Sequence, residues 1–302
     1  MDLNFSEDFS TQYRMLKKRI IANLIVKNGI VVQSIGFKRY LPVGKPGIAI
    51  EFLNQWGIDE IILTDISASN EGRGPNFKMI LEATKKCFVP LTIGGGISNT
   101  QQIKELMQCG ADKIALNRSV LLKPELISAA AHIFGNQCVV VCIDGIQTPK
   151  GYRVYDYINQ MPIENDPSSL ACFAEESGAG EIFIHSVDRD GSYTGYDHAL
   201  INEVCSRVSI PVIASGGAKN ASHIYALFNE TNASAASAAN FFHFSEHSVI
   251  ITKSQLAKNV DVRLETHASY SDSLVDDNIR LLKKKDETLE HLLYTRITKE
   301  II

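Results

Sequence analysis

The sequence has no apolar run approaching the ~20 residues that cross a bilayer, and its start, MDLNFSEDF, is acidic where a secretion signal is basic. A membrane span and a signal peptide are therefore not expected. Six cysteines (Cys87, Cys109, Cys138, Cys142, Cys172 and Cys205) include no CxxC pair, which excludes a zinc ribbon and gives no disulfide framework. They read as reduced residues of a cytoplasmic protein. No His-x-x-x-His or similar close ligand pattern occurs, so neither a metal nor another cofactor is expected. Charge of one sign is scarce too. With a net charge of −4, nothing pulls the chain toward nucleic acid or an acidic membrane, and any anionic ligand has to be held by local groups.

What is there comes twice. Asp65 in ILTDISAS, the triple glycine of PLTIGGGIS and Asn117 in ADKIALN return as Asp188 in IHSVDRDGS, the glycine pair of PVIASGGAK and Asn240 in SAANFF. The offsets are nearly constant: 188 − 65 = 123, 216 − 95 = 121 and 240 − 117 = 123. Each copy alternates apolar strands with helical stretches, as parallel sheets do. A period this long implies two halves of one closed barrel, since solenoid units are far shorter. Strands are expected at 20–26, 60–66, 90–95, 113–117, 138–144, 181–187, 211–217 and 235–241, with amphipathic helical stretches such as IAIEFLNQWG, NTQQIKELMQCG and SHIYALFNE between them. The expected fold is a (β/α)8 TIM barrel over 15–265, built from two half-barrel repeats. A polar extension covers 1–14, and 266–302 forms a helical extension with Leu274, Leu281, Leu282, Leu289, Leu292, Leu293 and Ile297 on one face. The stretches 33–46 and 145–167 read as long loops over the site.

In such a barrel the C-terminal strand ends carry the chemistry, and every repeated motif sits at one. The clusters Gly94-Gly95-Gly96 and Gly216-Gly217 remove Cβ obstruction so that backbone N–H groups can approach an anion, although glycine there also serves simple turns. Because the clusters recur in both halves, each with a second helix start at Asn117-Arg118 or Ala239-Asn240, they suggest two phosphate sites across the mouth. Asp144 ends the apolar strand VVVCID, where a carboxylate can act as acid or base or simply order its loop. Its repeat partner falls at Leu24 to Val26, where there is no carboxylate. His185 faces the interior by strand alternation, and Asp65, Asp188 and Asp190 crowd the strand ends. Arg19, Glu60, Lys113 and Glu181 each open a strand, so two cations and two anions meet at the opposite end of the bore, as a closing ring or as ordinary rim salt bridges.

The blocks KRIIANLIVKNGIVV, GIDEIILTDISAS, TIGGGI, GADKIALN, FGNQCVVVCID, GAGEIFIHSVDRDGSYTGYD, VIASGGA and FFHF resemble the cyclase subunit of imidazole glycerol phosphate synthase over about 15–265. The resemblance implies a glutaminase partner on the N-terminal face and ammonia passing through the barrel to a bisphosphate. It implies that Gly96 and Asn117, with neighbouring Arg118, bind one phosphate, and that Asp190, Gly191, Gly217, Ala239 and Asn240 bind the other. It makes Arg19, Glu60, Lys113 and Glu181 the ammonia gate, and puts Asp112 and Gln137 at the partner interface. The sequence also departs from the family. Where the family has two catalytic aspartates, one in C-L-D-V-K-D-G, this chain reads Asn23-Leu24-Ile25-Val26-Lys27-Asn28-Gly29, so Asp144 faces Ile25. A family lysine is Gln33, an aspartate is Lys45, a threonine is His185, and a small residue is Arg118. The active face has changed and the gate has not, which resembles the cyclase-like paralogues that work with a glutaminase and a sugar amidotransferase in surface-polysaccharide pathways. That reading implies nitrogen insertion on a glycan sugar. The alternatives are a histidine-pathway cyclase and an inert scaffold that activates the glutaminase.

Overall fold

Eight strands buried on both faces explain why their sequences read as almost unbroken apolar runs. In the computed structural model they are β1 (Arg19–Lys27), β2 (Glu60–Asp65), β3 (Leu91–Gly94), β4 (Lys113–Leu116), β5 (Val139–Thr148), β6 (Glu181–Ser186), β7 (Val212–Ser215) and β8 (Ala235–Ala238). Each pairs in parallel with the next, and β8 pairs back onto β1. The sheet is closed, and helices such as Pro46–Gln55, Thr100–Gln108 and Ala221–Glu230 cover it. This is the expected (β/α)8 barrel. The structure describes residues 17–243 and 247–264, with Leu282, Lys285 and Glu287 beyond them. The extension expected over 1–14 lies outside the described residues, as does that over 266–302 apart from those three.

Helix starts follow from side-chain caps. Asn76, Asn99, Asp166, Asp197 and Asn220 each accept the backbone N–H three residues on, satisfying a donor that the first turn leaves free. The period of two along β1 divides the core: Ile20, Ala22, Leu24 and Val26 face the helices, while Ile21 faces the bore. There it meets Ile62, Val140, Phe183, Ile213 and Ala235 in a separate apolar cluster, so the bore is plugged near its middle.

The two stretches read as loops are hairpins instead. Asn28 (φ 53°) and Gly29 (φ 78°) have the left-handed pair of angles of a tight hairpin turn, and strand Ile30–Ile35 folds back on β1 and onto Arg39–Gly44. Likewise β5 runs four residues past Asp144 and turns at Pro149-Lys150 into the antiparallel strand Gly151–Asp156. Both hairpins rise over the C-terminal mouth.

Helix Ser248–Leu256 fixes the opposite end of the barrel with a buried ion pair. Lys253 Nζ donates to Asp59 Oδ1 and to the Gly57 carbonyl, each at 2.6 Å, while Asp59 Oδ2 accepts from the Ile20 amide at 2.7 Å. Burial pushes the Asp59 carboxyl up, and the Lys253 ammonium works against that rise. Lys253→Met would leave the carboxylate buried without its cation. It is expected to lower stability by about 3–5 kcal/mol, read as a lower urea midpoint.

Candidate active site

Following the bore-facing positions of β1 outward gives the layers of the site in order: Arg19, Ile21, Asn23, Ile25. At the first layer Arg19 Nη1 lies 2.7 Å from Glu60 and 2.8 Å from Glu181, and Lys113 Nζ lies 3.1 Å and 2.8 Å from the same two carboxylates. Four residues on four strands thus form a closed ring of alternating charge, each cation bridging both anions. Burial would lower the Arg19 guanidinium, but Glu181 and Glu60 outweigh it and hold the group firmly charged. Asp112 and Gln137 are exposed at this end of the barrel. The apolar plug is the second layer.

Beyond the plug lies a cavity of about 300 Å³, lined among others by Asn23, Ile25, Gly96, Asn117, Arg118, Asp144 and His185. A Cβ on Gly95 (φ 109°) would collide with the Asp65 carbonyl, so only glycine lets β3 turn this close to the neighbouring strand end. Asn117 Nδ2 donates to Asp144 Oδ2 at 2.9 Å and to the Cys142 carbonyl at 3.1 Å. Arg118 Nη1 lies 3.2 Å from Asp156 on the second hairpin. Burial pushes the Asp144 carboxyl up, the His185 charge and the Asn117 amide pull it down, and Asp190 adds to the rise; the net shift is upward. A carboxyl poised in this way can give or take a proton at a ligand. Ile25, opposite, can do neither.

His185 and Asp190 form the other half of the mouth. The imidazole Nε2 lies 3.5 Å from Asp190 Oδ1, an ion-pair distance that is long for a hydrogen bond, and Nδ1 meets Ser215 Oγ at 3.1 Å. Burial would lower the His185 imidazole, but Asp190 and then Asp144 raise it; burial would raise the Asp190 carboxyl, but His185, Ser34 and the Phe37 amide bring it down. These same groups hold the first hairpin. Ser34 Oγ and Phe37 N donate to Asp190 Oδ2 at 2.6 Å and 3.1 Å, and the Phe37 ring centre lies 5.1 Å from that of His185.

The expected site residues therefore divide. Gly96, Asn117, Arg118 and Asp144 meet in one cavity, whereas Asp190, Gly191, Gly217, Ala239 and Asn240 do not line it. The hairpin covers part of this second group: Asn240 Nδ2 donates to the Ser34 carbonyl at 2.7 Å, and the Asp190 carboxylate is taken up by the hairpin. Gly217 (φ 93°) is packed against the Gly195 carbonyl, where a Cβ would collide. The repeat is also uneven in its work. Asp65 caps the Ser67 amide, while its counterpart Asp188 accepts from Gln147 on the second hairpin. Sequence reasoning missed Phe37, Tyr40 and Tyr157, which line the cavity from the hairpins. Burial, with the nearby Asp190, pushes the Tyr40 hydroxyl up to about 12, so it stays protonated and donates to the Phe37 carbonyl. Among the described residues no group of three or more His, Cys, Asp or Glu could hold a metal, and no helix is long and apolar enough to cross a membrane.

The hairpin latch carries a pH expectation. The depressed Asp190 carboxyl contributes stability above its ordinary value near 4 that is lost as pH falls through the lowered value; the raised imidazole contributes fully below about 6.5 and loses its contribution as pH rises through the raised value. Exchange protection of the Gly36 and Phe37 amides, corrected for intrinsic rate, is expected to be greatest at about pH 4–6.5 and to fall above the raised imidazole value. Constant protection up to pH 9 would count against the latch.

The sequence profile of the histidine biosynthesis protein family matches residues 19–248. The chain is 42% identical over 265 residues to a Vibrio vulnificus protein provisionally named imidazole glycerol phosphate synthase subunit hisF2, covering 87% of this chain and 97% of that one. It is 43% identical over 244 residues to imidazole glycerol phosphate synthase subunit HisF of Clostridium botulinum strain Okra, covering 80% and 96%. The HisF subunit of Methanopyrus kandleri is 40% identical over 262 residues, covering 80% and 96%. With its barrel, strand-end glycines and N-terminal charge ring, the chain belongs to the histidine biosynthesis protein family and is a homologue of the HisF cyclase subunit of imidazole glycerol phosphate synthase.

Proposed function

We propose that this protein is a synthase subunit that takes ammonia from a glutaminase through its barrel and inserts the nitrogen into a phosphorylated ligand held over Asp144. The observation that carries this reading is the alignment along one bore of a closed charge ring, an apolar plug and a polar cavity with a buried carboxyl. The ring of Arg19, Glu60, Lys113 and Glu181 serves as the gate, and exposed Asp112 and Gln137 belong to the docking face. In the cavity Gly96, Asn117 and Arg118 hold one phosphate. Asp190, Gly191, Gly217, Ala239 and Asn240 serve the second once the hairpin moves. A neutral amine attacks an electrophilic carbon; Asp144, in its protonated form, donates to the oxygen that leaves and in its ionised form collects the proton the new C–N bond releases. Asn117 fixes the carboxyl for that exchange.

The acceptor in this reading is a sugar of a surface polysaccharide, handled with a sugar amidotransferase, because Ile25 removes the second acid–base group that ring closure calls on. The names of the relatives favour a second reading, a cyclase of histidine biosynthesis. A scaffold that only activates the glutaminase would have no use for the buried Asp144–Asn117 pair. The deciding experiment supplies amide-15N glutamine and the glutaminase to the full chain with either the histidine-pathway bisphosphate or an extract of glycan precursors. Label is expected in a sugar product. Label in imidazole glycerol phosphate at the rate of a cyclase with both aspartates would establish the second reading, and label in neither would sink nitrogen insertion altogether.

A further inference from the structure

Helix Ser248–Leu256 is buried on more sides than the barrel accounts for. Its residues from Ser248 to Lys253 are all at most 8% exposed, yet six consecutive residues of a helix point in every direction. Val249 and Leu256 belong to the apolar core, and Lys253 reaches Asp59. Ile250 and Ile251 point about 100° and 200° round the helix from Val249. They join neither the core nor the plug, but are only 7% and 8% exposed. In a closed barrel this helix, which follows β8, is flanked by the helices after β7 and β1. Helix Ala221–Glu230 packs on one side of it, and Trp56, just past Pro46–Gln55, brings its ring centre to 6.0 Å from that of His247. Flanking helices leave an outer side open. Two isoleucines on that side stay dry only under a further apolar segment.

We infer that the chain's own C-terminal segment, from Leu274 to Leu281, lies as an amphipathic helix across the outer side of Ser248–Leu256 and straps the seam between the last and first units of the barrel. The sequence suits that role. Ile279 falls four residues after Val275 and Leu281 seven after Leu274, which puts these residues on one side of a helix, and Ser273-Leu274-Val275-Asp276 has the order of a capping box at its start. The segment also departs from the right place. Val262 pairs with Lys18 at the foot of β1, and the charge of Arg263 acts on Asp59, the partner of Lys253, so the chain reaches Leu264 beside this helix. The nine residues 265–273 span up to about 30 Å, and one helix is only about 10 Å wide. Exposed residues mark the limits of the contact: Ser254 on the covered helix, and Leu282, Lys285 and Glu287 beyond the strap. An apolar margin runs beside it, because Ile48 and Phe52, 55% and 50% exposed, lead at steps of four residues to Trp56. None of this depends on the ammonia route.

Trp56 is the only tryptophan of the chain, so its emission reads the strip directly. In the full chain, the double variant Leu274→Ser/Leu281→Ser is expected to shift that emission to the red. The amides of Ile250 to Lys253 are expected to exchange roughly tenfold faster, while those of Val139 to Ile143 in β5 keep their protection. Deleting 266–302 should reproduce both changes, and a peptide of residues 266–302 added to the shortened chain should reverse them. Native emission and exchange in the double variant and in the shortened chain overturn the inference. If removal of 1–14, or Phe244→Ser, changes both readings where the double variant does not, another stretch covers the helix and the inference fails. Sedimentation of the full chain and the double variant decides whose segment it is. The strap within one chain requires the same oligomeric state in both, and a dimer that becomes a monomer in the variant overturns it in favour of a second copy.

Discussion

Given ammonium and the histidine-pathway bisphosphate, the protein is expected to form imidazole glycerol phosphate about 10²–10⁴-fold more slowly than a cyclase carrying both aspartates. The physical reason is at Ile25, a buried residue that lines the cavity where the second carboxyl would stand. Asp144 keeps its place, its Asn117 hydrogen bond and its raised affinity for a proton, which suits one half of an acid–base pair. The other half has no titratable atom. His185 does not fill the gap, because both its ring nitrogens are turned to Ser215 and Asp190 and its Nε2 is buried. Ile25→Asp separates two causes of a low rate. If ring closure lacks only the carboxyl, the variant recovers a large part of the lost factor; if the aromatic and basic lining of Phe37, Tyr40, Tyr157 and Arg118 no longer orients that bisphosphate, kcat/KM stays low. Steady-state formation of the imidazole product checks both, and wild-type turnover at the full cyclase rate would refute the role given to Ile25.

Much of this arrangement is legible in the sequence, and the reason is periodicity. A strand buried on both faces announces itself as an apolar run, and alternation within it then ranks Arg19, Ile21, Asn23 and Ile25 in one file along the bore. The ring residues could be grouped because each begins a strand, and strand starts share one end of a barrel. The hairpins were harder to see. Arg39–Gly44 is short and half-exposed and carries Pro42, and it pairs back on Ile30–Ile35 through a turn in which Gly36 (φ 61°) and Phe37 (φ 58°) both take left-handed angles, a conformation that phenylalanine does not announce. The end of β5 was missed because Asp144 looks like a terminus, while the strand continues through Ile146 into a turn that Pro149 opens. The latch between Ser34, Phe37, His185 and Asp190 joins segments more than 140 residues apart, with |i−j| of 156 for Ser34 and Asp190, and no local pattern encodes such a contact. Nor does sequence tell which half of a repeat is open. The two asparagines look equivalent, yet Asn117 serves Asp144 and Asn240 serves the hairpin.

Lys113→Met is expected to uncouple glutamine hydrolysis from nitrogen transfer while leaving the barrel folded and the glutaminase bound. In the closed ring, two cations face two anions, and each carboxylate is met by both Arg19 and Lys113 at 2.7–3.1 Å. Methionine matches the length of the lysine stem but removes one charge, so the buried Glu60 and Glu181 are left to share Arg19 where unbalanced anions are poorly solvated. The ring then either swells open to admit water or draws closed around the arginine. In both cases, on the proposed ammonia route, nitrogen delivered at the N-terminal face is expected to escape to solvent instead of entering the bore. The fold is little affected, because the plug of Ile21, Ile62, Val140, Phe183, Ile213 and Ala235 lies above the ring and keeps its packing. Gln137→Ala, on the exposed face beyond the ring, is expected to do the opposite: association weakens, and the ratio of glutamate released to nitrogen transferred stays near wild type in the complex that does form. That ratio, taken in the reconstituted complex with glutamine and again with free ammonium, is the measurement. For Lys113→Met it is expected to rise several-fold with glutamine, while turnover with free ammonium, which can enter from either end, changes little. A wild-type ratio in Lys113→Met would mean that the four charges only tie the strand ends together, and that nitrogen reaches the cavity by another path.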